Sequence, residues 1–370
     1  MNTPRHRLAF GDPQIDQLIT QALASVGSDH NDDLVRALLV TAFDMDAADI
    51  DRLELKIAAQ TLVEMYGAWK TFSPHRTSAK VSVFGSARTP TDHPDYRLAV
   101  EFGHIMAKRR WMVITGAGPG IMTAGIQGAG AASSFGLNIS LPFEQDAADE
   151  IANDPKLATF KYFFTRKLAF MKESDAFALF PGGFGTLDET FELLTLIQTG
   201  KTYPIPVVLI DHEDSTYWTN WKRFIYDELL ERSMINQSDM ELFHHIHDPV
   251  EAADRLCGFY ACYHSLRYVG DQLIIRLTSE LTESDLDQLN CEFSDLTDNG
   301  LITPVPATKQ EVADNDHAEL ARIGLKFNQQ SFGRLVKLID RINELSGCSE
   351  SDARDGLLHD VSPDPASETL

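Results

Sequence analysis

The sequence predicts an α/β fold: a doubly wound parallel sheet preceded by a helical segment and followed by a smaller α+β module. Three observations carry this. Short apolar runs at Val81–Phe84, Met112–Thr115, Leu137–Leu141, Ala176–Phe180 and Val207–Ile210 alternate with helix-length stretches. Several of those runs lead into glycine-rich turns, as strands do where they hand over to helices. Before about residue 75 and after about residue 258 the pattern differs, and 370 residues suit two or three domains.

In the N-terminal segment, residues 1–75, Leu34, Leu38 and Ala42 recur at helical spacing, followed by Leu53, Leu55, Ala58, Leu62 and Met65. No catalytic constellation lies there, which suits a helical cap or a dimerisation element. Residues 76–258 hold the sheet. In the third segment, 259–347, Leu273–Leu277 reads as a strand and Ser284–Phe293 as a helix. Leu301–Pro306 and Ala321–Phe327 follow as strands and Phe332–Leu345 as an amphipathic helix, a βαββα order that suits a regulatory or assembly module. The last residues, 348–370, form an acidic tail expected to be disordered: from Ser349 onward there are six acids and one arginine, Arg354.

Composition narrows the partners. Apolar residues make up 43% and charged residues 24%, enough for a substantial core. The 55 acidic against 32 basic side chains leave a net charge of −23, which disfavours nucleic acid and anionic membrane surfaces. Cys257, Cys262, Cys291 and Cys348 form no CxxC pair, as in a reduced compartment. The N-terminus lacks the apolar core of a signal peptide, and no apolar run approaches the roughly 20 residues that span a bilayer. The expected protein is cytoplasmic, and no metal or cofactor is called for.

The chemistry concentrates in loops that follow strands. The most informative is Pro181, Gly182, Gly183, Phe184, Gly185, Thr186, with a helix expected from Leu187. Three glycines in four positions let the backbone turn sharply and approach a ligand closely. The amides of a helix start form an anion site suited to phosphate, to which Thr186 can add a hydroxyl. Glu189 then lies about 4.5 Å further along the helix, displaced from the phosphate. The same spacing is that of a capping box, in which Glu189 would only satisfy the amide of an N-cap Thr186.

A second loop holds Gly116, Ala117, Gly118, Pro119 and Gly120. It is GxGxG, not the GxGxxG of dinucleotide sites, and the following strand, Leu137–Leu141, does not end in an acid for a ribose hydroxyl. A nicotinamide cofactor is therefore disfavoured. A third turn, Gly85 and Ser86, read alone is a tight strand-to-helix connection. The stretch Phe160–Met171 carries five aromatics, more often core than base-stacking platforms. Its Arg166 and Lys167 are either a solvated pair or a clamp for an anion.

Taken in order, Val83, Gly85 and Ser86, then Ile114 through Met122, then Arg166, Lys167 and Met171, then Pro181 through Asp188 and Glu189, resemble the Lonely Guy (LOG) family. The resemblance covers roughly residues 80–230; Gln198 to Lys201 and the pair Tyr217, Trp218 are similar to its larger bacterial members. One departure is Ala117, where many members carry glycine. The resemblance implies a Rossmann-like homodimer that hydrolyses the N-glycosidic bond of nucleoside 5′-monophosphates, including cytokinin riboside monophosphates, without a metal. It implies Arg166 and Glu189 as the catalytic pair. The nucleotide would contact Gly85, Ser86, Gly116, Gly118, Gly120, Lys167, Met171, Gly182, Gly183, Gly185, Thr186 and Asp188. In the mechanism expected, Glu189 faces the sugar cation while Arg166 orients it and keeps it ionised. The alternative is nucleotide or cofactor binding without turnover on the same scaffold.

Overall fold

The computed structural model of the chain describes residues 7–27, 31–141, 148–297 and 300–347. The acidic tail and Cys348 lie outside the described residues. Two compact units result, one up to residue 66 and one from residue 67.

The first unit is helical, as the leucine spacing predicts: α1 (Pro13–Val26), α2 (Asp32–Ala47) and the first part of α3 (Arg52–Phe72). Asp12 caps α1, its carboxylate accepting from the amides of Gln14 and Ile15, and Gly27 ends it in the left-handed conformation. Ile19, Leu23 and Val40 form its small core. Leu34, Leu38, Leu53 and Leu62 remain exposed, so here apolar periodicity marks a helix without marking a buried face.

The second unit contains two sheets. The larger is built by β1 (Lys80–Phe84), α4 (Pro94–Lys108), β2 (Met112–Thr115), α5 (Ile121–Ala129), β3 (Ser134–Ile139), β4 (Leu157–Phe160), α6 (Phe163–Glu173), β5 (Ala176–Leu179), α7 (Phe184–Gln198), β6 (Val207–Ile210), α8 (Tyr217–Phe224), β7 (His244–Ile246) and α9 (Pro249–Gly258). Its seven strands are parallel, in the order β4-β3-β2-β1-β5-β6-β7. Strands β1, β2, β5 and β6 are buried along their whole length because helices cover both faces. The two strands not anticipated from apolar runs, β4 and β7, are the two edges. With five of their seven positions at least partly exposed they carry Thr159, His244 and His245, and the apolar signal fails there.

The smaller sheet is antiparallel, in the order β10-β11-β9-β8. It is formed by β8 (Tyr263–Val269), β9 (Gln272–Leu277), β10 (Thr303–Pro304) and β11 (Ala321–Leu325), with α10 (Glu283–Glu292), α11 (Lys309–Asp314) and α12 (Phe332–Leu345). The βαββα expectation lacked β8 and α11, and the strand expected over Leu301–Pro306 shrinks to two residues. Strand β8 mixes His264, Ser265 and Arg267 with apolar residues, so sequence alone gives it no clear strand signal. One side chain of this module is unusual: Glu311 is buried and accepts from Arg276, with Arg322 alongside. Although burial alone would raise it, the Thr308 amide and Arg276 hold its pKa down to about 2. Among the described residues no helix is long and apolar enough to cross a membrane.

Candidate active site

The strand order reverses between β1 and β5, which lie side by side with β2–β4 to one flank and β6 and β7 to the other. In such sheets a ligand sits in the crevice outside the carboxyl ends of the strands at this switch point. The turn after β1 and the loop after β5 meet there. The Ser86 amide donates to the Pro181 carbonyl at 3.0 Å, and the Ser86 carbonyl accepts from the Ile121 amide at 3.1 Å. One residue thus ties together the loops after β1, β2 and β5. Its backbone groups are spent on this, and its hydroxyl accepts from the Arg88 amide.

Close approach explains the glycines. A Cβ at Gly120, where φ is +68°, would lie 2.3 Å from the Ser86 carbonyl oxygen, and one at Gly85 would strike Ile121. At Gly116 it would come within 2.3 Å of Arg166 Nη2, and at Gly118 within 2.8 Å of Met122. Gly182 is packed equally tightly, against Thr186. Gly183 and Gly185 differ: among the described residues an added Cβ would meet nothing within 4 Å, so the first turn of α7 is open there. Ala117, the departure from the family pattern, adopts φ +56° and is fully buried. It holds the left-handed geometry at a cost of roughly 1 kcal/mol.

The helix after β5 starts earlier than expected, at Phe184, with Gly183 as N-cap. Thr186 is therefore inside the first turn and no capping box forms with Glu189. Gly183 takes the extended conformation of an N-cap, so the chain enters the helix three residues sooner. The amides of Phe184, Gly185 and Thr186 head the helix without intrahelical partners, the arrangement that binds phosphate. From the other side the Tyr217 hydroxyl donates to the Gly182 carbonyl at 2.6 Å and pins the loop. Nothing in the sequence connects residues 35 apart in this way.

Freed of the capping role, Glu189 is 7% exposed, and its Oε2 has no hydrogen-bond partner among the described residues. Arg166 and Lys167 on α6 both act on it electrostatically. Arg166 makes no direct ion pair with it. The guanidinium donates to the carbonyls of Leu137 (Nε, 2.6 Å) and Gly116 (Nη2, 3.3 Å), which tether it across the ends of β2 and β3. Burial lowers the Arg166 pKa to about 10 while Glu189 opposes, so it stays charged at neutral pH. Lys167 reaches Asp188 at 2.9 Å and Glu192 at 2.6 Å. Burial pulls its pKa down, but those two carboxylates outweigh it and the net shift is upward. The expectation that Arg166 keeps Glu189 ionised fails: burial dominates, Lys167 and Arg166 only partly offset it, and the carboxyl is pushed up to about 7.

The structure thus gathers Gly85, Ser86, Gly116, Gly118, Gly120, Arg166, Lys167, Gly182, Gly183, Gly185, Thr186, Asp188 and Glu189 on adjoining loops and helix starts. Met171 packs against the core. Of the aromatics around Arg166, Phe160 and Phe170 are core, whereas Phe163 and Phe164 are exposed. The chemistry available is an anion cradle beside a desolvated carboxyl group that is half ionised near neutral pH.

Residues 119–256 match a family model described as possible lysine decarboxylase. Over 144 residues the chain is 31% identical to the cytokinin riboside 5′-monophosphate phosphoribohydrolase of Mycobacterium tuberculosis, covering 36% of this chain and 75% of that relative. Similar solved structures include the Moco carrier protein of Chlamydomonas reinhardtii, with 22% identity and a TM-score of 0.34 over 48% of this chain and 97% of that one. DNA processing protein A of Helicobacter pylori shows 16% identity and a TM-score of 0.34 over 49% and 80%.

Proposed function

The chain belongs to the LOG family, and from that premise we propose that it hydrolyses the N-glycosidic bond of nucleoside 5′-monophosphates, releasing free base and ribose 5-phosphate. The observation that carries this reading is Glu189: a carboxyl buried at the switch point, with one oxygen unpartnered, beside two cations and next to an open helix start. The amides of Phe184, Gly185 and Thr186 hold the 5′-phosphate, and Gly183 and Gly185 leave it room. The ribose then lies over the second turn of α7, where Glu189 stands.

As the C1′–N bond breaks, its electron pair leaves with the base and positive charge builds on the sugar, as in glycoside hydrolysis. Ionised Glu189 stabilises that charge and takes a proton from the water attacking C1′. Arg166, fixed by two carbonyls, sets the field around the carboxylate and the position of the substrate.

Cytokinin riboside monophosphates are one substrate option within this class. The protein acts in the cytoplasm as a homodimer, in keeping with the apolar surface of Phe163, Phe164, Leu168 and Phe184 beside the site. The helical N-terminus serves assembly, and the module from residue 259 regulation. A panel of nucleoside monophosphates and matching nucleosides, assayed for ribose 5-phosphate or ribose, tests the proposal. AMP or a relative should be cleaved much faster than its nucleoside. Tight binding of a nucleotide with no release of base would instead make the chain a carrier.

A further inference from the structure

We infer that Asp211, His245 and His247 form a binding site for a single first-row transition ion of the zinc type. The site stands at the carboxyl ends of β6 and β7, and the inference is independent of the hydrolase reading.

The backbone arranges it. Residues two apart on a strand point to the same face, so His245 and His247 project together from the end of β7, their rings 4.6 Å apart. Strand β6 runs parallel beside it with Leu209 opposite His245, which delivers Asp211 at the end of β6 to the same place. One oxygen of Asp211, Oδ1, lies 2.7 Å from His245 Nε2 and 3.1 Å from His247 Nδ1. Zinc holds imidazole nitrogen and carboxylate oxygen at about 2.0–2.2 Å, which puts tetrahedral neighbours about 3.4 Å apart, so the hydrogen-bonded pair at 2.7 Å opens by less than about 1 Å to admit an ion.

The chemistry of the donors agrees. Asp211 is fully buried and turns one carboxylate oxygen toward both imidazoles. Two imidazoles and one carboxylate suit zinc and its neighbours better than magnesium or calcium, which prefer all-oxygen shells. The exposed rim at His247 leaves an outward position for water or an exchanging ligand. A second cluster adjoins it, in which His93, Asp95 and His212 converge. There, however, His93 Nδ1 already accepts the Asp95 amide as the cap of α4, and His212 is tied to Asp95. His245 and His247 are hydrogen-bonded as well, to the carboxylate and the carbonyl of Asp211, but neither caps a helix and His247 stands at the exposed rim, which favours this cluster as the ion site.

Occupancy would reach the candidate active site through a short path. Oδ2 of Asp211 accepts from the Trp218 amide in the first turn of α8, and the preceding Tyr217 holds the Gly182 carbonyl.

The test is zinc titration of the full chain, free of any histidine tag and stripped with chelator, by calorimetry, with cobalt absorption reporting the ligand set. One ion per chain is expected, with a cobalt spectrum of mixed nitrogen and oxygen ligands. His247→Gln, at the exposed rim and still able to hydrogen-bond, should weaken binding on the order of 10-fold or more. His93→Ala should leave it unchanged. Absence of stoichiometric uptake, wild-type affinity in His247→Gln, or loss in His93→Ala instead would each overturn the assignment.

Discussion

Replacing Glu189 by glutamine separates what the carboxyl does to the fold from what it does for the reaction. Burial lifts its pKa from the ordinary 4.5 to about 7, against Lys167 and Arg166. Such an acid binds more protons folded than unfolded between those two values. Its contribution is therefore most favourable below about pH 4.5, declines as pH rises to about 7, and is least favourable above that. At about 1.4 kcal/mol per tenfold change in proton affinity, ionised Glu189 destabilises the fold by about 3 kcal/mol near pH 8. Glutamine keeps the shape and cannot ionise. Relative to wild type, Glu189→Gln should thus gain stability from acid to alkaline pH, by up to about 3 kcal/mol. Turnover should move the opposite way, falling about 10²-fold or more as the sugar cation loses its counter-charge. Nucleotide binding should survive, since the loop amides are untouched. Urea denaturation at several pH values, paired with single-turnover hydrolysis of AMP, reads both effects. A variant that loses stability at alkaline pH would refute the burial argument. Near-wild-type turnover would remove Glu189 from the reaction.

The remaining expectations use the same geometry. The rate of AMP hydrolysis should rise through pH about 7 as Glu189 ionises, and Lys167→Met should move that midpoint upward, because Lys167 is the largest influence holding the pKa down; an unmoved midpoint counts against the coupling. Gly116→Ala should behave as a lesion of Arg166, since the new methyl occupies the place of its Nη2. Turnover should drop on the order of 10²-fold with little loss of melting temperature, and unchanged kinetics would show that the tether of Arg166 is unimportant. Tyr217→Phe frees the Gly182 carbonyl and should raise KM for monophosphates about fivefold, the worth of one hydrogen bond, with kcat nearly unchanged. A fall in kcat alone would place Tyr217 in the chemistry instead of in loop positioning.

Much of this molecule is written locally. The apolar runs of β1, β2, β5 and β6 declare themselves because strands covered on both faces need no polar alternation, and the glycine loops declare themselves because at Gly85, Gly116, Gly118, Gly120 and Gly182 a side chain would clash. The edges β4 and β7 stay hidden because partial exposure dilutes the same signal. The sequence also brought Arg166 and Glu189 to notice, through motif order, but not what they do to each other. Thr186 and Glu189 have the spacing of a capping box. Only the entry of the chain into α7 at Gly183 decides that no box forms. Only the packed interior decides that Glu189 is desolvated, that Arg166 spends its hydrogen bonds on Leu137 and Gly116, and that the carboxyl titrates near neutrality. The physical reason is range: strand patterning and glycine sterics act over a few residues along the chain, whereas desolvation and field depend on what surrounds a group in space. The three loops latched by Ser86, and the ring of Tyr217 under Gly182, come from segments far apart in sequence that meet only because β1 lies beside β5.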